Sequence, residues 1–155
     1  MNEKDFTALC QEHMPGMYRM SMALVRNQAD AQDAVQQALL KAWAARDRMR
    51  PGVERAWLMR IVINESRNVQ RQRMRMVPVE RLPEQAYTPP DTDLREAIDA
   101  LPENWRLPLL LKYMEGMSEK EAARALGITQ GALKARLHRA RKALEKVLNE
   151  EVELE

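Results

Sequence analysis

Cysteine is almost missing from this chain of 155 residues. The one residue, Cys10, excludes an internal disulfide framework and makes a reducing cytoplasm the expected compartment. Histidine is nearly as scarce. Two histidines and one cysteine cannot form an ordinary four-ligand zinc site without many carboxylates. Cys10 and His13 lie one helical turn apart, a spacing that reads better as core than as a ligand pair. No metal or other cofactor is expected. No apolar run approaches the roughly 18 residues of a membrane span, so no membrane insertion is expected. The N-terminal stretch MNEKDFTALCQEH is acidic and mixed, unlike a signal peptide. There is no GK[ST] phosphate loop and no HExxH. Of the three serines, Ser21 and Ser66 lie in no nucleophile setting and Ser118 is better explained as a helix cap. Nothing here points to an enzyme. Glycine is limited to five residues, and no convincing alternating β-branched run occurs. Ala, Leu, Met, Arg, Lys, Gln and Glu dominate, which makes the chain all-α.

Charge is present in quantity, and its layout is informative. The net charge is only +2, but residues 46–75 hold nine Arg/Lys against three Asp/Glu. Residues 132–144 hold five against none, and residues 145–155 hold one against five. Two separated cationic blocks suggest two contacts with one polyanion.

The pattern divides the chain into two small helical units, residues 1–75 and 93–150, with an acidic tail at 151–155 that is expected to fray. Helical spacing of Leu9, His13, Met17, Met20 and Leu24 predicts a first helix, which Pro15 is expected to kink or interrupt. Asp30 is the expected N-cap of a second helix. Its apolar face holds Ala31, Ala34, Val35, Ala38, Leu39, Ala42 and Trp43, and its outer face holds Asp33, Gln36, Gln37 and Lys41. Pro51-Gly52 marks a turn. A third helix from about Glu54 carries a polar stripe, Arg60, Asn64, Arg67, Arg71 and Arg75, at steps of three or four. Residues 76–92 hold four prolines and no helical period, so they read as a linker. Extended at about 3.3 Å per residue, they reach roughly 55 Å, more than one turn of DNA at about 35 Å.

The second unit contains the sharper motif. Ser118 and Glu121 form an S-x-x-E capping box. Gly127-Ile128-Thr129 is a turn with Thr129 as cap, and a last helix runs to about Leu148 on an inner row of Leu133, Leu137, Ala140, Leu144 and Val147. A helix, a short glycine turn and a basic amphipathic helix make a helix-turn-helix, whose second helix enters the DNA major groove. Gln130, Lys134, Arg136 and, a turn on, Arg139 are its candidate groove residues. Lys134 and Arg136 can reach base edges, and Arg can pair bidentately with guanine. His138, Arg141 and Lys142 are candidates for phosphate. Gly131 suits a close approach of backbone to DNA or to the preceding helix.

The stretch LREAIDALPENWRLPLLLKYMEGMSEKEAARALGITQGALKARLHRARKALEKVL resembles region 4 of the bacterial sigma-70 family, in particular its small extracytoplasmic-function (ECF) members. QADAQDAVQQALLKAWAARDRMR resembles region 2.2, and RAWLMRIVINESRNVQRQRMR resembles regions 2.3 and 2.4. The resemblance covers about residues 3–148 in the right order, with nothing like regions 1.1 or 3. It implies an alternative sigma factor that binds core RNA polymerase at the β′ clamp coiled coil and the β flap and directs it to promoter DNA. By position, Asp33, Gln36 and Gln37 match the surface that docks on the β′ coiled coil. The loop from Arg48 to Glu54, with Arg48, Met49 and Arg50, matches the element that captures flipped bases of the −10 element. Asn64 matches a position near that base pocket, and Arg60, Arg67 and Arg71 match the basic face along the promoter. The helix from Gln130 matches the reader of the −35 element. An anti-sigma factor is implied as a regulatory partner.

Three departures bear on these expectations. Ala132 and Ala135 stand where relatives commonly carry hydroxyls, Met49 where an aromatic is frequent, and Gln37 where Glu is usual. Two other readings compete. A stand-alone helix-turn-helix regulator, with residues 1–75 for dimerisation or sensing, leaves the Arg60–Arg75 stripe and the linker without a purpose. A helical adaptor that binds only protein would not bind DNA at all.

Overall fold

The structure, a computed structural model, describes residues 1–76 and 93–154. Among the described residues there are seven α-helices and no strand. They are α1 (Glu3–Val25), α2 (Gln28–Ala44), α3 (Glu54–Met76), α4 (Asp93–Asp99), α5 (Glu103–Tyr113), α6 (Glu119–Leu126) and α7 (Gln130–Leu154). The chain divides into two units near residue 86, with α1–α3 in the first and α4–α7 in the second. The linker expected at 76–92 lies outside the described residues except for Met76, which ends α3.

In the first unit, α1 begins on Asn2, whose side chain accepts from the Asp5 N–H at 2.8 Å. Of the two outcomes expected at Pro15, interruption does not occur: it lies inside α1, which runs on past it. Pro15 cannot donate to the Gln11 carbonyl, a loss of roughly 3 kcal/mol with its steric clash. Phe6 and Cys10 before it, and Met17, Met20 and Leu24 after it, are buried in one core. Phe6, Met17, Met20 and Leu24 each contribute about 1.5–3 kcal/mol as large apolar side chains, so packing outweighs the break.

Helix α1 ends on Arg26 in the left-handed region (φ 54°), with its N–H donating to the Met22 carbonyl at 2.9 Å. The next residue, Asn27, is extended and caps α2, its Oδ1 accepting from the Asp30 N–H at 2.9 Å. Asp30 is therefore not the cap. It is the third residue of α2, and its carboxylate pairs with Arg73 of α3.

Ala31, Ala34, Val35, Ala38 and Ala42 line the buried face of α2, a seam of mostly small side chains. Leu58, Met59, Val62 and Ile63 complete the core from α3, while Trp57 and Ile61 beside them are half-buried. Ser66 Oγ lies 2.7 Å from both Ser21 Oγ and the Val62 carbonyl, with both serines fully buried. One hydroxyl carries one proton, so when Ser66 donates to Val62 it accepts from Ser21.

In the second unit, buried Arg106 of α5 donates from Nη1 to the Leu101 and Asp99 carbonyls at 3.2 and 3.3 Å, which fixes the joint between α4 and α5. The capping box forms as expected: Ser118 Oγ accepts from the Glu121 N–H at 3.1 Å, and the Glu121 side chain accepts from the Ser118 N–H at 3.4 Å. Gly127 closes α6 at φ 69°, a conformation that favours glycine. Thr129 caps α7, its Oγ1 accepting from the Ala132 N–H at 3.1 Å.

Leu133, Leu137 and Ala140 are fully buried, Leu144 is half-buried, and Val147 is 39% exposed. Val147 therefore does not belong to the inner row. Helix α7 continues to Leu154, so residues 151–154 of the expected frayed tail are helical. An established helix adds one hydrogen bond per residue, and the Glu- and Leu-rich extension favours that growth.

Candidate nucleic-acid and polymerase interface

Because α2 turns its small-residue seam inward, Asp33, Gln36 and Gln37 are left exposed on one face. Leu40 continues that face and is 63% exposed. Its register with Asp33, Gln36 and Gln37 is the sequence signal for it, masked by its apolar neighbour Leu39. Beside it Lys41 pairs with Glu65 of α3, whose buried carboxylate is thereby compensated.

On α3, Arg60, Asn64, Arg71 and Arg75 are exposed and Arg67 is half-buried, so the expected stripe is one continuous outer face. Arg71 also donates to Asn68. The loop that leads into α3 is anchored at both ends. At its start a 3₁₀ turn, Arg46–Arg48, puts the Arg46 guanidinium 3.7 Å over the Trp43 ring, where Nη1 also donates to the Trp43 carbonyl at 2.8 Å. Trp43 in turn meets Phe6 edge-on at 5.1 Å. At the far end the Val53 N–H reaches the Arg50 carbonyl at 3.4 Å across Pro51-Gly52, with Gly52 at φ 90°. Proline second and a positive-φ glycine third is the chemistry of a type II turn. Glu54 Oε1 accepts from the Gly52 N–H at 2.8 Å. That bond, followed by its own backbone N–H, holds the Glu54 carboxyl below the ordinary glutamate range. Between the anchors Arg48 and Arg50 are exposed and Met49 is half-buried. Sequence reasoning missed Arg46 and had Glu54 only as the end of the loop, because their anchoring bonds depend on the turn geometry.

On α7, Gln130, Lys134, His138, Arg139, Arg141 and Lys142 are exposed, as are Gly131 and Ala135. Arg136 differs: three residues after Leu133 and four before Ala140, it borders the buried row and is half-buried. The structure thus groups Lys134, His138 and Arg139 outward and sets Arg136 at the edge. A Cβ at Gly131 would meet nothing within 4 Å, so no neighbouring helix requires glycine there. Two of the cations are tied back. Arg141 donates to the Tyr113 hydroxyl at 2.9 Å. Glu119 lies 3.0 Å from Lys112 Nζ and 3.9 Å from Lys134 Nζ. The Lys112 hydrogen bond, aided by the charges of Lys112, Lys134 and Arg141, lowers the Glu119 pKa.

Each unit thus presents a cation-rich face on its long final helix. Residues 9–76 match the model of sigma-70 region 2, and residues 91–144 match that of sigma-70 region 4. The chain belongs to the sigma-70 family. It is 32% identical over 150 residues to the ECF RNA polymerase sigma factor SigE of Mycolicibacterium smegmatis, a match that covers 88% of this chain and 58% of that protein. It is 30% identical over 149 residues to the RNA polymerase sigma factor SigV of Bacillus subtilis, covering 90% of this chain and 89% of that one. Among solved structures it is similar to the sigma factor RpoE of Bartonella quintana, in complex with the anti-sigma factor NepR, with TM-score 0.74 and 29% identity over 94% of this chain and 98% of the other. Helices α1–α3 are therefore sigma region 2 and α4–α7 are sigma region 4 of an ECF-type sigma factor. Sigma factors are transcription initiation factors, not enzymes, and they bind core RNA polymerase and promoter DNA. Among the described residues, no helix is long and apolar enough to cross a membrane.

Proposed function

We propose that this ECF sigma factor joins core RNA polymerase through Asp33, Gln36, Gln37 and Leu40 of α2, which meet the β′ clamp coiled coil, with region 4 meeting the β flap. The loop Arg48–Glu54 and the α3 face of Arg60, Asn64, Arg67 and Arg71 then capture and hold unpaired −10 bases. Helix α7 reads the −35 duplex through Gln130, Lys134 and Arg139, with Arg136 at the edge of the groove and His138, Arg141 and Lys142 on phosphate. Holding a base out of the stack costs a few kcal/mol, which contacts to the base face and backbone cations offset.

The observation that carries this reading is the pair of exposed cationic helix faces in two separate units of one chain. A stand-alone regulator needs one such face. The site of action is the cytoplasm, where polymerase works. An anti-sigma factor that covers these faces is the matching regulator, supported by the likeness to the RpoE–NepR complex.

Run-off transcription by core polymerase on promoter fragments, with and without the protein, tests the function. A promoter-specific transcript that depends on the protein is expected. Protection of a palindrome by the protein alone, with no such transcript, would overturn the proposal in favour of a stand-alone regulator.

A further inference from the structure

We propose that Glu54 is a positioning residue for −10 recognition: it locks the base-capturing loop into one shape before DNA arrives. The inference rests on the assignment of that loop to base capture. It starts from the geometry of a single backbone donor. In the turn from Arg50 to Val53, the Gly52 N–H points away from the Arg50–Val53 hydrogen bond and would otherwise be open to solvent or to a nucleotide. Glu54 Oε1 takes it at 2.8 Å. Glu54 stands at the first position of α3, and the Val53 carbonyl accepts the helix's first bond from Trp57 at 2.9 Å. The carboxylate therefore ties the loop tip to a rigid helix end.

The opposite root is held by Arg46 on Trp43. With both roots fixed, Arg48, Met49, Arg50 and Pro51 are the residues left to meet a base. Their arrangement is set in advance instead of being ordered on binding, which is how a preorganised loop discriminates. This matters more here because Met49 is a flexible side chain and cannot supply the rigidity of an aromatic.

The test uses holoenzyme reconstituted from the full chain and core RNA polymerase. It is offered a pool of short single-stranded DNA oligonucleotides of random sequence, and the bound fraction is sequenced. The wild-type holoenzyme is expected to enrich a short preferred sequence. Glu54→Ala is expected to bind core polymerase normally but to lose about tenfold of that enrichment, the size of one lost base contact. Glu54→Gln keeps an acceptor for Gly52 and is expected to keep the preference. Gly52→Ala breaks the turn by a second route, through strain at φ 90° with open space around the added methyl, and is expected to flatten the preference as Glu54→Ala does. Enrichment by Glu54→Ala equal to wild type would overturn the positioning role and leave base capture standing. Absence of any preference in the wild type would overturn base capture itself, and the role of Glu54 with it.

Discussion

The Arg141 guanidinium donates to the Tyr113 hydroxyl at 2.9 Å, so an exposed cation of α7 is tied to the end of α5. Such a bond adds about 1 kcal/mol or less to stability. Its larger effect is on where Arg141 rests before DNA arrives. Tyr113→Phe is expected to lower the Tm of the second unit by no more than about 8 °C. Affinity for −35 duplexes should fall about two- to tenfold, the cost of ordering one long side chain on binding. If Arg141 meets phosphate, the loss will be equal on all sequences, which fluorescence anisotropy on a panel of duplexes measures.

Glu119 gives a pH signature. Its pKa is lowered in the folded protein, chiefly by the Lys112 hydrogen bond. A depressed folded pKa contributes stability that is present above the unfolded value, about 4.5, and is lost as pH falls through the folded value. Wild type is therefore expected to exceed Glu119→Gln in stability at neutral pH. The gap should close below pH 4.5 in urea titrations of the two proteins.

Ser21 and Ser66 are coupled in the region 2 core. Ser66→Ala leaves the buried Ser21 hydroxyl without its partner and is expected to cost about 1–3 kcal/mol. The double substitution to alanine removes both polar groups and should cost less than the two single costs added together. A double-mutant cycle by urea denaturation reads the difference.

Leu40 separates folding from docking. It is 63% exposed, so Leu40→Ala should change stability by no more than about 0.5 kcal/mol. If the leucine is buried against polymerase, the lost burial of about 1.5–3 kcal/mol weakens core binding about ten- to a hundredfold. Competition for core polymerase against the unmodified protein measures it.

Much of this architecture was legible because its rules are local. The Ser118–Glu121 box and the Thr129 cap each act across three residues, so their letters announce them. The Arg60–Arg75 stripe follows from helical period alone. Pro15 was misleading because its local cost is outweighed by burial of Met17 and Met20 against other helices. The α2 cap was ambiguous because Asn27 and Asp30 are both capping residues. The left-handed Arg26, which decides between them, has no sequence mark. Val147 obeys the period of Leu137 and Ala140 but is exposed, because period alone does not say where packing partners are. The anchoring bonds of Arg46 and Glu54 were invisible for a further reason: each acts on backbone whose path must be known first.

The unbroken course of α7 to Leu154 has a mechanical consequence. At 1.5 Å per residue the helix is a rod about 37 Å long, with Lys134 and Arg139 in its first half. Whatever grips the far end holds a lever on the other: if Lys134 and Arg139 meet base edges as proposed, a small tilt there would swing them across those edges without touching the DNA.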